Sequence, residues 1–360
     1  MIRKIAALLL AGLCLLLCAC APQPESRDAL SLWYPEEAPL ARLLPELAET
    51  YNRNRSPSAL PLALRCFSDE QALRDALSAA PPDLLLCSQE LALPLYESGA
   101  LRPLTLTTAP EYSAMLLGRS EAVGLSFFPL GSELELLCGS AETIGSLDTL
   151  EALFAAAAEY GAANARPFLG ADALAPLLYQ LMLGRGSEFH ARRDLDGGSR
   201  VYRDAYNLIA EAAFQGGLDL EADPLSRLTD GALPCAVLSS GALVGLEEES
   251  LAFRPLPGRA AEEALLARCW GLAVTAGAGR NLRSAGAFLG WLLEGERAAS
   301  LSLEAGLVPA LPGEVPADTA LSRLLLELRD AALHLPDGES DYVRNRRDFE
   351  TRFRAALALF

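Results

Sequence analysis

The chain has 360 residues, of which 51% are hydrophobic and 21% are charged, and its formal net charge is −17. This composition can bury a core and is not that of a disordered chain. The acidic balance argues against nucleic acid, which favours a basic surface, and against attraction to anionic lipid. Lys4 is the only lysine, so Schiff-base and P-loop chemistry, which need a lysine, are excluded for the chain that follows it.

The first residues are typical of a secretory signal peptide. Two basic residues precede an uncharged run at residues 5–17, which is short for a membrane-spanning helix of about 20 residues. The segment LCAC at residues 17–20 resembles the bacterial lipobox. This resemblance implies removal of residues 1–19, lipidation of Cys20, a tether over residues 20–29 and a position outside the cytoplasm, anchored to the cell membrane. An ordinary cleavage site with chance cysteines is the alternative.

Strands and helices alternate along the first hundred residues. The pattern predicts strands at 30–34, 60–67 and 83–87, and helices at about 45–51, 68–80 and 91–97. The third strand, DLLLC, is apolar without alternation, as is typical of a parallel strand buried on both faces. The order of elements predicts an α/β fold with a doubly wound parallel sheet.

The middle of the chain is predicted to cross from one lobe to another. Residues 123–140 form two extended segments joined around Pro129 and Gly131. A helix follows at 147–160, capped by Ser146 and ended by Gly161. Further helices are predicted at 171–183, 200–214, 282–293, 317–334 and 341–359, and strands at 233–238, 251–254 and 267–274.

Four segments, in this order, are similar to those of one known family. They are PPDLLLCSQELALPLYESGALRPL at 81–104, FFPLGSELELLCGSAETIGSLDTLEAL at 127–153, LTDGALPCAVLSSGAL at 228–243, and the stretch from LARCWGLAV to GLVPAL at 266–311. Following a lipobox, they resemble the bacterial extracellular solute-binding proteins of ABC importers, in the maltose-type family 1. Leu147 stands where a tryptophan is common in that family.

The resemblance implies a two-lobe periplasmic-binding-protein fold, in which each lobe is a mostly parallel sheet flanked by helices. Its expected boundaries are 30–126 plus 271–312 for lobe I, 132–266 plus 313–360 for lobe II, and a hinge near 126–133 and 267–275.

The implied function is a receptor that captures a small solute, with carbohydrate as one candidate class, by hinge closure and delivers it to the membrane subunits of an importer. Such a receptor is a monomer that needs no cofactor and binds no nucleic acid. It is not an enzyme. A sensor or scaffold lipoprotein of the same fold is the first alternative. A secreted hydrolase is the second, but the two histidines, His190 and His334, are poorly placed for a nucleophile-base pair.

Ligands of such sheets bind beyond the carboxyl ends of the strands. The residues after the first and third strands are therefore candidates for ligand binding. The candidate ligand-binding residues are Trp33, Tyr34, Ser88, Gln89 and Glu90 in lobe I, Ser132 in the crossover, and Asp172, Tyr179, Ser239, Ser240 and Trp270 farther along. Core packing of the aromatics and helix capping by the serines are the plain structural alternatives. Ser239 and Ser240 stand where the family often has a tryptophan, which argues against a ligand held by stacking on sugar rings. No arginine is placed at this rim by the pattern.

Five cysteines remain after the tether, each in or beside an apolar run: Cys66, Cys87, Cys138, Cys235 and Cys269. This setting predicts mostly buried free thiols, with one disulfide of undetermined partners as the alternative. No metal site is expected. The acidic turn at residues 194–198 lacks the final acidic ligand of a calcium loop.

Overall fold

The structure is a computed structural model that describes residues 28–108, 110, 112, 126–185, 199–220, 223–246, 251–257, 265–294, 296–330, 333–334 and 350–355. The predicted leader, Cys20, His190 and the acidic turn at residues 194–198 lie outside these residues. The described strands are β1 Leu30–Pro35, β2 Leu62–Phe67, β3 Leu84–Ser88, β4 Phe127–Gly139, β5 Leu169–Ala171, β6 Leu218–Asp219, β7 Cys235–Ser239, β8 Ala252–Pro255, β9 Leu265–Val274, β10 Val308–Pro309 and β11 Leu333–His334.

The described α-helices are α1 Leu44–Asn54, α2 Glu70–Leu77, α3 Gln89–Glu97, α4 Ala141–Gly145, α5 Leu150–Asn164, α6 Ala175–Leu183, α7 Arg200–Phe214, α8 Pro224–Thr229, α9 Leu282–Leu292, α10 Arg297–Glu304 and α11 Ala320–Glu327. Short 3-10 helices lie at Ala41–Leu43, Ser240–Leu243, Ala276–Arg280 and Leu328–Asp330.

Five strands form a first group in the order β2-β1-β3-β9-β4. β1 pairs in parallel with β2 and β3, and β9 runs antiparallel to β3. Every residue of β3 is buried. Leu84 and Leu86 pack in the same core cluster as α1 and α9, whereas Leu85 and Cys87 pack with α2 and α3. Helices therefore cover both faces of this sheet, which confirms the prediction from the unbroken apolar run.

A second group has the order β6-β5-β7-β4, with β8 on the other edge of β4. β5 pairs in parallel with β6 and β7, while β4 runs antiparallel to β7 and β8. Helix α7 shows how one face is covered. Its buried residues, Val201, Ala205, Ile209 and Ala212, recur every three or four positions and so form one apolar stripe, which packs in a cluster with α5 and α6.

Strands β4 and β9 connect the two groups. The first part of β4 pairs with β9, and the part from Glu135 to Gly139 pairs with β7 and β8. The predicted join around Pro129 and Gly131 is a register shift in the β4–β9 pairing within one strand of 13 residues. Glycine is required there because a Cβ on Gly131 would lie 2.8 Å from the carbonyl oxygen of Val308 in β10.

The predicted ends of the helix at 147–160 are wrong. Helix α5 begins after Thr149, whose hydroxyl accepts a hydrogen bond of 3.0 Å from the N–H of Ala152, and it continues through Gly161 to Asn164. Gly161 is a packing residue rather than a stop, because a Cβ there would lie 2.4 Å from the backbone nitrogen of Gly217.

The predicted helix at 317–334 is too long. Helix α11 ends at Glu327, a 3-10 turn follows, and Leu333–His334 form β11, which pairs in parallel with Leu265 and Leu266 of β9. Pairing with the sheet overrides the helical pattern here. Of the predicted helix at 341–359, only residues 350–355 are described. The short elements α8, α10, β5, β6 and β10 were not predicted from the sequence.

The five cysteines after the tether are free thiols, and only Cys66 is exposed. Burial raises the pKa of Cys138 and of Cys269 to about 12, so these groups are neutral thiols near pH 7. The predicted buried thiols are confirmed. Among the described residues, no helix is both long and apolar enough to span a bilayer.

Candidate functional site

A cleft of about 210 Å³ lies where the two strand groups meet. Its lining comes from the segments after β1, β3 and β5, from the end of β7, and from the middle of β4 and β9. The ionisable residues of its lining are Glu37, Glu90, Glu133, Glu135, Asp172 and Arg268. The rim expected at the carboxyl ends of parallel strands is thus a real cavity, and most of its ionisable groups are carboxylates.

Strand geometry places two of the carboxylates. Glu133 and Glu135 are two residues apart on β4, and side chains at that spacing point to the same face of a strand. The pairing sets Glu133 opposite Arg268 of β9 and Glu135 opposite Ser239 of β7. Strand β4 therefore presents two acidic groups to the cleft, one next to β9 and the other next to β7.

Arg268 is the cationic residue of this lining. Its Nη2 atom lies 2.8 Å from Oε2 of Glu70, and its Nε atom lies 3.7 Å from Oε2 of Glu90. The guanidinium carbon stands 4.5 Å from the ring centroid of Trp270, a cation–π arrangement. Burial alone would lower the pKa of Arg268, but the surrounding carboxylates, led by Glu90, raise it above its ordinary value.

Glu70 and Ser88 link this arginine to helix α3. Glu70 accepts hydrogen bonds from the N–H of Ser88 (2.7 Å) and from its hydroxyl (3.1 Å). The Ser88 hydroxyl also accepts from the N–H of Leu91 at 3.3 Å and so caps α3. Ser88 is fully buried. Its hydroxyl already donates a hydrogen bond to Glu70 and accepts one from Leu91.

The two predicted tryptophan anchors are buried. Trp33 is 2% exposed and Trp270 is fully buried. The ring of Trp33 packs at 5.0 Å from that of Phe67, and the indole N–H of Trp270 donates to Oε2 of Glu133 at 3.1 Å. Neither indole is part of the described cleft lining, so the structure uses both as supports; their contact with a ligand stays a prediction.

The predicted serines differ in position. Ser239 lines the cleft, and its hydroxyl accepts from the N–H of Ala242 at 3.3 Å. Ser240 is fully buried and accepts from the N–H of Leu134 at 3.1 Å, which ties the end of β7 to β4. Ser132 is fully buried in β4.

Four predicted residues remain: Tyr34, Gln89, Tyr179 and Asp172. Tyr34 is half-buried, and burial followed by the neighbouring Cys66 raises its pKa. Gln89 and Tyr179 are buried. Asp172 follows β5 and lines the cleft; burial, followed by the nearby Asp223, raises its pKa.

Of the eleven predicted ligand residues, Glu90, Asp172 and Ser239 are brought together in the cleft, and the other eight are not in its described lining. Sequence reasoning did not name Glu37, Glu133, Glu135 or Arg268 as ligand residues, and its pattern placed no arginine at this rim, where the structure has Arg268. Arg268 interrupts the apolar run of β9, and that single charge inside a strand pattern was the available signal. Among the described residues, no group of three potential ligands could hold a metal ion.

No protein-family model matches this sequence, and no curated protein matches it. Solved structures do match. A putative oligosaccharide periplasmic-binding protein from Synechococcus sp. MITs9220 is 17% identical, with a TM-score of 0.71 over 92% of this chain and 94% of that one. The GacH receptor of Streptomyces glaucescens GLA.O, solved unliganded and with acarbose, is 16% identical, with a TM-score of 0.69 over 92% of both chains.

A third match is the spermidine/putrescine ABC transporter substrate-binding protein PotD from Streptococcus pneumoniae strain Canada MDR_19A. It is 14% identical, with a TM-score of 0.69 over 92% of this chain and 99% of that one. At these identities the similarity shows the fold. The chain therefore has the two-lobe fold of the periplasmic substrate-binding proteins of ABC transporters, as the resemblance in its sequence implied.

Proposed function

We propose that this protein is an extracytoplasmic receptor that captures a small solute and delivers it to an ABC importer. The observation that carries the proposal is the charged cleft between the strand groups, in a fold whose solved examples are receptors for sugars in some cases and for polyamines in others. The described cleft is lined by groups that bind and orient a polar solute.

The proposed division is lobe I at 30–126 plus 271–312 and lobe II at 132–266 plus 313–360, with the hinge near 126–133 and 267–275. The register shift in the β4–β9 pairing supports this hinge, because a bulge weakens the ladder locally. Gly271 lies in the same place, where a Cβ would be 2.5 Å from the carbonyl oxygen of Phe128. The two strands are therefore in close backbone contact at the proposed pivot.

Capture would work because a solute makes more contacts with the protein when the lobes are closed than when they are open. Glu37 and Glu90 belong to segments after β1 and β3, whereas Asp172 and Ser239 come from β5 and β7. A solute that touches both sets gains its full contacts only when the lobes are close together. Binding then shifts the population toward the closed form, which is the form an importer would recognise.

A thermal-shift panel with the purified full chain in detergent tests capture. The panel contains maltose, mannobiose, putrescine, spermidine and an amino acid mixture. A ligand at 100 times its Kd adds about 2.7 kcal/mol to stability, which is a rise in Tm of several degrees for lobes of this size. A folded protein that no compound stabilises would contradict capture.

Delivery is tested in cells. Deleting the gene should abolish uptake of the radiolabelled ligand found in the panel, and restoring it should recover uptake. Unchanged uptake would favour the sensor or scaffold role instead.

The proposed membrane anchor is a lipid on Cys20. The wild-type chain should incorporate labelled palmitate and fractionate with membranes, whereas Cys20→Ser should remain unlabelled and soluble. Cys66→Ser is the matched control, because that thiol is exposed in the folded protein. Equal labelling of wild type and Cys20→Ser would refute the anchor.

A further inference from the structure

The charge of the cleft is strongly one-sided. Five carboxylates and one guanidinium line it, which leaves four formal negative charges in a space of about 210 Å³. Like charges this close raise the free energy of the site, and the penalty grows as water is excluded. The cleft therefore favours an occupant that brings positive charge.

The internal cation does not neutralise the whole cleft. Arg268 forms ion pairs with Glu70 and Glu90, and the more distant Glu133 and Glu37 also contribute to raising its pKa. None of the ion pairs found within the described part of the chain includes Glu37, Glu133 or Asp172. These three carboxylates come from the segment after β1, from β4 and from the segment after β5, so they face the cleft from different sides.

Arg268 also shows that this site can hold an organic cation. Its guanidinium is held by two carboxylates and an indole face within the cleft lining. Ion pairs combined with a cation–π contact are the interactions that recognise alkylammonium groups. The protein thus already stabilises one cation with this chemistry. Beside it, Glu37, Glu133 and Asp172 form no ion pair within the described residues, and Glu133 accepts the indole N–H of Trp270.

The lining is poorly suited to a sugar. No aromatic ring is part of the described lining, and sugar rings are commonly bound by stacking on one. A volume of about 210 Å³ is also below the roughly 300–1,000 Å³ of drug-sized ligand pockets. Size and lining together favour a small, charged occupant.

We propose that the solute captured in this cleft is a small organic cation of the alkylamine or diamine class, with its ammonium groups held by Glu37, Glu133 and Asp172. This inference rests on the proposed receptor function and names its substrate class. The same residues would oppose closure of the empty cleft, because Glu37 follows β1 of the first strand group and Asp172 follows β5 of the second. Their mutual repulsion opposes closure of the empty cleft, and a cation between them reverses the sign of that interaction.

Isothermal titration calorimetry of the purified full chain tests the inference, with putrescine and spermidine as probes and 1,4-butanediol as the neutral analogue of putrescine. We expect saturable binding of at least one amine and none of the diol. Raising NaCl from 50 to 500 mM should weaken amine binding several-fold, because screening acts on the ionic contacts.

Asp172→Asn and Glu37→Gln should each weaken amine binding at least tenfold, which equals about 1.4 kcal/mol. Glu142→Gln is the matched control, since this carboxylate is exposed on α4 and outside the cleft. Circular dichroism spectra that match the wild type show that each variant is folded.

Three results would overturn the inference: no saturable binding of either amine, diol binding as tight as putrescine binding, or unchanged amine affinity in both folded cleft variants. If maltose binds while the amines do not, the receptor function survives and the cationic class fails. If neither sugars nor amines bind, both fail.

Discussion

Replacing Arg268 with methionine should destabilise the protein more than any other single charge removal at the cleft. The side chain of Arg268 is 25% exposed, and those of its partners Glu70 and Glu90 are 15% and 12% exposed. Removing one partner of a fully buried ion pair costs about 3–5 kcal/mol. Because these groups keep some contact with water, the expected loss is about 2–3 kcal/mol.

Urea unfolding of the full chain, monitored by far-UV circular dichroism, measures this loss as a lower midpoint at constant slope. Arg280→Met is the matched control: Arg280 is exposed and forms no ion pair within the described residues, so its removal should cost less than about 0.5 kcal/mol. Adding Glu70→Gln and Glu90→Gln to Arg268→Met removes the stranded charges and should recover at least half of the loss. The reasoning is refuted if the Arg268 and Arg280 variants are equally stable, or if neutralising both glutamates recovers nothing.

Three further outcomes are expected. Gly161→Ala should lower stability by about 1–3 kcal/mol through a backbone clash, whereas Gly145→Ala, whose Cβ would meet nothing within 4 Å, should be nearly neutral. Equal urea midpoints for the two variants would count against this packing. In native protein, iodoacetamide should label Cys66 well before the four buried thiols after the tether, whose pKa values burial raises; peptide mass spectrometry reads this out, and equal rates would contradict it. Burial raises the pKa of Asp172, so its charge opposes folding, and Asp172→Asn should stabilise the protein at pH 7. That gain should disappear below pH 3.8, the ordinary pKa of an aspartate, because the carboxyl is then protonated in both the folded and the unfolded chain. A gain independent of pH would exclude titration as the cause.

Long periodic segments were predictable because local pattern and packing agree in them. Helix α7 was predicted at its observed bounds, Arg200–Phe214, from apolar spacing and a closing pair of glycines. Strand β3 was predicted as a doubly covered parallel strand from DLLLC alone. In both cases the side chains that mark the pattern are the ones that fill the core.

Local signals misled where a residue had a tertiary role. Gly161 has the sequence signature of a helix stop but allows the close approach of Gly217. The end of the predicted helix at 317–334 pairs with the edge of β9 instead. Trp33 packs in a core cluster, and its predicted contact with a ligand stays a prediction. The spacing of residues along the chain does not reveal which distant residues will contact them in the folded protein.

The sequence by itself determined the alternation of elements, the fold class, the buried thiols and the edge of the sheet where a cleft should lie, because these depend on residues close in the chain or on the general geometry of parallel strands. Only the tertiary structure decided the chemistry of that cleft. Arg268 is 198 residues from Glu70, and Glu133 is 137 residues from Trp270. These contacts form when β4 and β9 bring segments that are distant in the sequence together. The electrostatic interactions of the side chains depend on their distances in space rather than on their order in the chain.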